Sequence, residues 1–298
     1  MLNRRQLALS LAAASLAACG RKKEADPNAP PPGTLAWAIA GDWRLQPDRD
    51  EFRHPLQTLL FWGLEPTMTV LEVLPGLGWY TSILAPYLAA NHGHLIAAGF
   101  DPNSGSMAER ETLANWQTRF TRDPALYGEI TQSVVSRTED RVLAPAGTVN
   151  LAILANTFHV LMARGIAERV LAEIYAALKP GGTFGVEQHR AYSSGEQDPT
   201  AHSGYVQEVY VKTLAQEAGF TFIAASDMNA NPHDNRDHPF GVWSLPPDLR
   251  TSPLGRPDNP RYDTRPFQAI GESDRMTLRF EKPGGLGLPA RQGSDLRP

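Results

Sequence analysis

One cysteine, Cys19, occurs in 298 residues, which excludes an intramolecular disulfide and a cysteine-based zinc site. The chain also lacks a basic excess. It carries 28 Lys and Arg against 32 Asp and Glu, a net charge of −4, so nucleic acid is disfavoured as a partner. It shows neither an internal repeat nor a heptad pattern. What remains is ordinary globular usage, 42% hydrophobic and 20% charged, enough to bury a sizeable core. Gly and Pro, 25 of each, lie somewhat above average, so part of the chain is loop.

The single cysteine matters by its position. Met1 to Arg5 is basic, and the 13 residues from Gln6 to Ala18 are uncharged and rich in Leu and Ala. That is a signal peptide's length, too short to span a bilayer. The run ends Leu16, Ala17, Ala18, Cys19, Gly20, which resembles a bacterial lipobox, where the cysteine is acylated. The expectation is a signal peptide over 1–18 and lipidation at Cys19, giving an exported protein anchored to membrane on the periplasmic side of the envelope. An ordinary secretory signal with an incidental cysteine is the competing reading. Arg4, Arg5, Gln6, Leu7 is similar to a twin-arginine export signal, and that route carries folded proteins, cofactor included. Residues 19–35, with Pro27, Pro30, Pro31 and Pro32, read as an extended tether.

Residues 36–68 form a helical lead-in. Phe52, Leu56, Leu59 and Leu60 have helical spacing, which predicts one amphipathic helix from Asp48 to Trp62, its charged face (Asp48, Arg49, Asp50, Glu51, Arg53) turned to solvent. Strands then alternate with helices across 69–298. Strands are expected at Thr69–Leu74, His94–Phe100, Glu129–Ser136, Val149–Ala155, Thr183–Glu187, Phe220–Ala225 and Met276–Glu281. Helices are expected at Tyr80–Ala89, Met107–Thr121, Ile166–Leu178 and Tyr205–Ala218. This alternation argues an α/β fold, a doubly wound sheet covered on both faces. A proline-dense insertion at 239–275 interrupts it as a long loop.

The first strand runs into Glu72, Val73, Leu74, Pro75, Gly76, Leu77, Gly78 and then a helix, a turn that lets backbone approach a ligand closely. This acid followed by alternating glycines resembles the first motif of the class I S-adenosylmethionine-dependent methyltransferases. Glu72, Gly76 and Gly78 match it, and Leu74 stands where the first glycine is expected. Phe100, Asp101, Pro102 is similar to the site of the acid on the ribose, although the usual acidic position is Gly99. Asn156, Thr157, Phe158, His159 after the fourth strand and Leu178, Lys179, Pro180, Gly181, Gly182 before the fifth complete the order. Arg53, His54, Pro55, then Gly78 to Thr81, Glu187 to Arg190 and Asn229 to Pro247 narrow the resemblance to an exported bacterial branch of predicted methyltransferases.

The resemblance implies a Rossmann-like sheet of seven strands, mostly parallel with an antiparallel last strand. It implies S-adenosyl-L-methionine as cofactor, held by Glu72, Gly76, Gly78, Asp101 and Asn156, and an unidentified small-molecule acceptor. His159 and His189 follow inner strands at their C-terminal ends, where open α/β sheets bind ligands, and are the candidate bases. No metal ligand set is assigned: His233, Asp234, Asp237 and His238 match no known loop, and the polar run from Asn229 to His238 is expected to be a lid with Trp243 beneath it. Trp62, Trp79 and Tyr80 are expected to pack on the core. Leu74 and Gly99 keep a second reading open, a catalytically inactive fold serving as an envelope binding or scaffold module.

Overall fold

The computed structural model describes residues 29–136 and 141–284. Cys19, the signal and most of the tether lie outside these residues. The chain-order elements are helices α1 (Leu35–Ala40), α2 (Asp50–Arg53) and α3 (Pro55–Phe61), strand β1 (Thr69–Val73), α4 (Thr81–Ala90), β2 (His94–Gly99), α5 (Met107–Phe120), α6 (Pro124–Tyr127) and β3 (Ile130–Val134). They continue with β4 (Val149–Ala155), α7 (Phe158–Ala163), α8 (Ala167–Ala177), β5 (Leu178–His189), α9 (Glu208–Glu217), β6 (Thr221–Ser226), α10 (Arg265–Ile270) and β7 (Arg275–Glu281).

One sheet of seven strands results, in the order β3-β2-β1-β4-β5-β7-β6. Neighbours from β3 to β5 run parallel, and β7 lies antiparallel to both β5 and β6. The apolar runs of β1 and β4 are buried on both faces, as parallel strands require. One face packs Val170, Leu171, Ile174 and Ala177 of α8, spaced along one stripe of the helix. The other face packs α1, α3 and α4. Trp62 is seated there without solvent contact, its Nε1 donating 3.0 Å to Leu278 O. Gly185 leaves it room, because a Cβ at 185 would stand 2.5 Å from the indole.

The lead-in departs from its expected single helix. His54 adopts a left-handed conformation (φ 37°) before Pro55, so α2 ends and α3 begins at that point. The proline ring disfavours helical backbone in the residue before it, which overrides the apolar spacing. Lys179 to Gly182 also differ from expectation: α8 ends at Ala177 and these residues enter β5 through a register shift opposite Val149 and Leu151. Gly181 N–H donates 2.8 Å to Lys282 O, which ties the turn into the ladder with β7. The insertion carries a 3-10 turn at Gly241–Ser244 and α10, so it is not wholly loop.

Candidate active site

The turn after β1 sets the geometry. Leu74 N–H donates 2.8 Å to Ala98 O and Gly78 N–H donates 2.9 Å to Pro75 O, fixing the chain as it leaves the sheet. Leu74 takes a left-handed conformation, φ 50°, the conformation glycine adopts most readily. Its side chain is 2% exposed and joins the core, which offsets the backbone cost of about 1–2 kcal/mol. The departure from the glycine motif therefore preserves the path of the turn.

Gly76 (φ +60°) faces open space: among the described residues no heavy atom lies within 4 Å of where a Cβ would stand. Gly78 (φ +91°) is different: a Cβ there would meet Phe120 at 2.2 Å. Gly76 thus leaves room for something above the turn, whereas Gly78 makes room for α5.

Beneath the turn, Glu72 is 4% exposed and accepts from Thr81 Oγ1 at 2.6 Å, and Trp116 Nε1 donates 3.0 Å to that hydroxyl. Burial pushes its carboxyl up to about 7, against the opposing effect of the Thr81 hydrogen bonds.

Two cavities meet at Pro75. One is narrow and largely apolar, between Gly76, Ala97, Gly99, Phe100, Leu113 and Trp116. The other, a small cavity, lies between Arg53, Glu72, Leu74, Trp79, Tyr80 and Ala155. Gly99 keeps the first one open, since even a Cβ there would stand 3.1 Å from Leu113 Cδ1. A longer acidic side chain would have to displace Leu113.

The second cavity borders a buried ionic network. Glu187, fully buried, accepts from Tyr80 Oη at 2.6 Å and Asn156 Nδ2 at 2.9 Å, and Arg275 Nε lies 3.1 Å from it. Arg275 Nη1 reaches Glu272 Oε2 at 2.5 Å, Arg53 Nε reaches the same oxygen at 3.0 Å, and Arg49 Nε bonds the other. Burial opposes ionisation of Glu272, but Arg275, Arg53 and Arg49 hold its carboxyl well below the usual range. Burial and then the Glu187 charge push the Tyr80 hydroxyl well up, so it stays a donor. The charged face of the lead-in is thus not solvated as a whole: Arg53 is 8% exposed, and Arg49 also pairs inward.

His189 sits at the end of β5, its Nδ1 2.5 Å from Ser273 Oγ. Its ring centroid is 5.6 Å from that of His159. Gln188 Nε2 donates 2.8 Å to Gly204 O and lies 3.3 Å from His159 Nδ1. Burial lowers His159 to about 4. Burial, then His159, Arg275 and Arg53, hold His189 well below the ordinary imidazole value. Both rings are neutral at pH 7.

The residues singled out in the sequence divide into groups. Glu72 and Gly76 flank the junction at Pro75; Asn156 joins them through Glu187 and Tyr80, and His189 through Arg53 and Arg275. Asn156 Oδ1 is buried and has no hydrogen-bond partner among the described residues. Asp101 lines a separate polar cavity with Ser104, Ser106 and Arg164, and its Oδ1 accepts from Asn103 N–H at 2.8 Å. Asn229 to His238 is pinned rather than free to act as a lid: Asn229 Nδ2 donates to Thr58 and Thr277, and buried Asp234 accepts from Tyr205 Oη and bonds His238 Nε2. His233 and Asp237 are exposed. Among the described residues no three His, Cys, Asp or Glu side chains gather as a metal site. Trp243 stands edge-on to His159, 5.8 Å away. Trp62, Trp79 and Tyr80 do pack in the core, and Trp79 and Tyr80 line the second cavity as well.

Sequence reading places Arg53 on a solvated face and Tyr80 in the core and singles out neither Glu272 nor Arg275, yet all four gather around Glu187 at the second cavity. The available signal was the set Arg53–Pro55, Gly78–Thr81 and Glu187–Arg190, three separated stretches that converge here.

No family model matches the chain, and no curated protein matches it significantly. Solved structures do match its fold. The [4+2]-cyclase SpnF is 15% identical with a TM-score of 0.51, over 83% of this chain and 86% of its own. A SAM-dependent methyltransferase from Aquifex aeolicus is 21% identical with a TM-score of 0.48, over 61% and 87%. The N-methyltransferase NodS from Bradyrhizobium japonicum WM9, solved with S-adenosyl-L-homocysteine, is 15% identical with a TM-score of 0.46, over 84% and 96%. The chain has the class I methyltransferase fold. The class I sheet, with β7 inserted antiparallel between β5 and β6, brings the Gly76 turn, Asn156 and His189 to one edge. A fold of this class does not by itself select the reaction.

Proposed function

We propose that the chain is an S-adenosylmethionine-dependent methyltransferase acting on a small-molecule acceptor. The observation that carries this reading is the Gly76 turn: left-handed, with open space above it, a buried carboxyl beneath it, and an apolar and a charged cavity meeting at its base. The residues fit such a cofactor. The apolar slot between Ala97, Leu113 and Trp116 offers a base an aliphatic and an aromatic wall, and Asp101, just past β2 in the neighbouring polar cavity, offers a carboxylate to ribose hydroxyls. When bound, the cofactor supplies an electrophilic methyl group on a sulfonium.

The chain's own residues supply position and proton handling. Glu72 orients the turn through Thr81, and Asn156 Oδ1, unpartnered among the described residues, offers an acceptor at the end of β4. In the tautomer whose Nδ1–H donates to Ser273 Oγ, His189 carries its lone pair on Nε2, the form a base for the acceptor's proton requires. His159 packs beside it. Thermal unfolding with S-adenosyl-L-homocysteine tests the reading: ligand at 100 times its Kd stabilises a one-site protein by about 2.7 kcal/mol. No shift at millimolar ligand in a folded sample would favour a binding module that has lost catalysis.

The same proposal places the enzyme on the periplasmic side of a bacterial envelope, lipid-anchored at Cys19. The lipobox-like sequence supports it. Among the described residues no helix is long and apolar enough to cross a membrane.

A further inference from the structure

The charged cavity has a surplus of positive charge. The charged groups acting on Arg53 are Arg275, Arg49, Glu272 and Glu187, so three guanidiniums share two carboxylates. Asp248 and Arg250 at the margin add one charge of each sign and leave the balance unchanged. Burial pushes the Glu72 carboxyl up to about 7, so it offsets little of the surplus below neutral pH.

Arg53 is also the group built to receive an anion. Its Nε is fixed by Glu272, and its guanidinium lies 4.9 Å from the centroid of the Trp79 ring, a cation–π contact that orients the planar fork. The side chain is 10% exposed and lines the cavity beside Glu72, Trp79 and Tyr80. Neither Nη1 nor Nη2 has a hydrogen-bond partner among the described residues, and neither is a sealed buried atom. Arg275, by contrast, has both terminal nitrogens engaged, Nη1 with Glu272 and Nη2 with Phe52 O, and its Nε lies in ionic contact with Glu187; Arg49 bonds Glu272 and Gln46 through Nε and Nη1. One buried, stacked guanidinium, with only its Nε–H engaged, therefore lines the cavity that adjoins the turn at Pro75. Two parallel N–H donors on a rigid plane match a carboxylate.

We infer that Arg53 is a carboxylate receptor, binding through Nη1 and Nη2 a carboxylate of the ligand that fills this cavity. The inference deepens the proposed function and rests on it in one respect: the carboxylate comes either from the amino-acid end of the cofactor or from the methyl acceptor. No covalent step is involved. Arg53 binds and orients.

Calorimetric titration of the full chain and its Arg53→Met and Arg53→Lys variants separates the sources. The probes are S-adenosyl-L-homocysteine, which carries the carboxylate, and 5′-methylthioadenosine, which does not. If the cofactor supplies the carboxylate, Arg53→Met weakens S-adenosyl-L-homocysteine roughly tenfold to a hundredfold, Arg53→Lys less, and 5′-methylthioadenosine binds all three proteins alike. If the acceptor supplies it, both probes bind the variants as they bind the wild type. Acetate or benzoate then raises the Tm of the loaded wild type over chloride at equal ionic strength, and fails to do so in Arg53→Met. Equal loss of both nucleoside probes assigns Arg53 a merely structural role and overturns the inference. So does an unchanged response in every arm. If the wild type binds neither nucleoside, the proposed function fails instead, and the carboxylate titration of the unliganded protein decides the inference alone. Should Arg53→Met not fold, Arg53→Lys, which keeps the charge beside Glu272 but not the fork, carries the same comparison.

Discussion

Alanine at Gly76 and at Gly78 separates ligand binding from stability at two positions two residues apart. Both glycines have positive φ, so either substitution carries a backbone cost of about 1–2 kcal/mol. At Gly76 nothing else is added, because no heavy atom of the described residues lies within 4 Å of the new methyl. At Gly78 the methyl stands 2.2 Å from Phe120 Cε2 and 3.1 Å from Trp116 Cδ1. Phe120 is 1% exposed and held edge-on by Tyr127 at 5.0 Å, so it cannot swing away, and overpacking adds about 1–3 kcal/mol. Urea unfolding should therefore show Gly78→Ala clearly less stable than Gly76→Ala. Calorimetry with S-adenosyl-L-homocysteine should show the reverse order of harm: Gly76→Ala stays folded and loses about tenfold or more in affinity, since its methyl fills the space over the turn. Wild-type affinity in Gly76→Ala would refute the claim that ligand lies there, and equal stability of the two variants would refute the packing argument.

Further outcomes follow from the buried groups and the N-terminus. The Glu72 carboxyl titrates near 7 when folded and near 4.5 when unfolded, so the stability it contributes is complete below about pH 4.5 and is lost as pH rises through 7, with a ceiling of about 3 kcal/mol; Glu72→Gln should flatten that decline in pH-dependent urea unfolding, and an unaltered profile counts against the burial argument. His189→Ala should lower turnover by about a hundredfold with S-adenosyl-L-homocysteine affinity unchanged, and because both His159 and His189 are held low, the wild-type rate should show no histidine inflection near pH 6.5. Labelled palmitate should enter the full chain and not Cys19→Ala; equal label in both would remove the lipid anchor from the account.

Local patterns made the sheet legible. The apolar runs of β1 and β4 and the stripe of α8 are short-range signals, and they gave those elements within a residue or two. The Glu72 to Gly78 motif located the turn for the same reason, since its glycines answer local backbone demands. The ionic network was not legible. Arg49 and Arg53 sit in a lead-in segment whose sequence suggests a solvated helix face, and their partner Glu272 is more than 200 residues away in a proline-dense stretch with no periodicity. Ion pairing across such a distance leaves no local trace. Likewise the polar run from Asn229 to His238 reads as a surface lid, yet Asn229 and Asp234 are 2% and 3% exposed because their hydrogen-bond partners come from α3, β7 and Tyr205.

A crystal structure of the protein with S-adenosyl-L-homocysteine tests the central claim most directly. The account predicts a ligand spanning the Gly76 turn, its base against Leu113 and Trp116 and its sulfur end toward Glu72 and Tyr80. Ligand bound elsewhere, or a soaked crystal whose Gly76 turn stays empty at millimolar concentration, would contradict it.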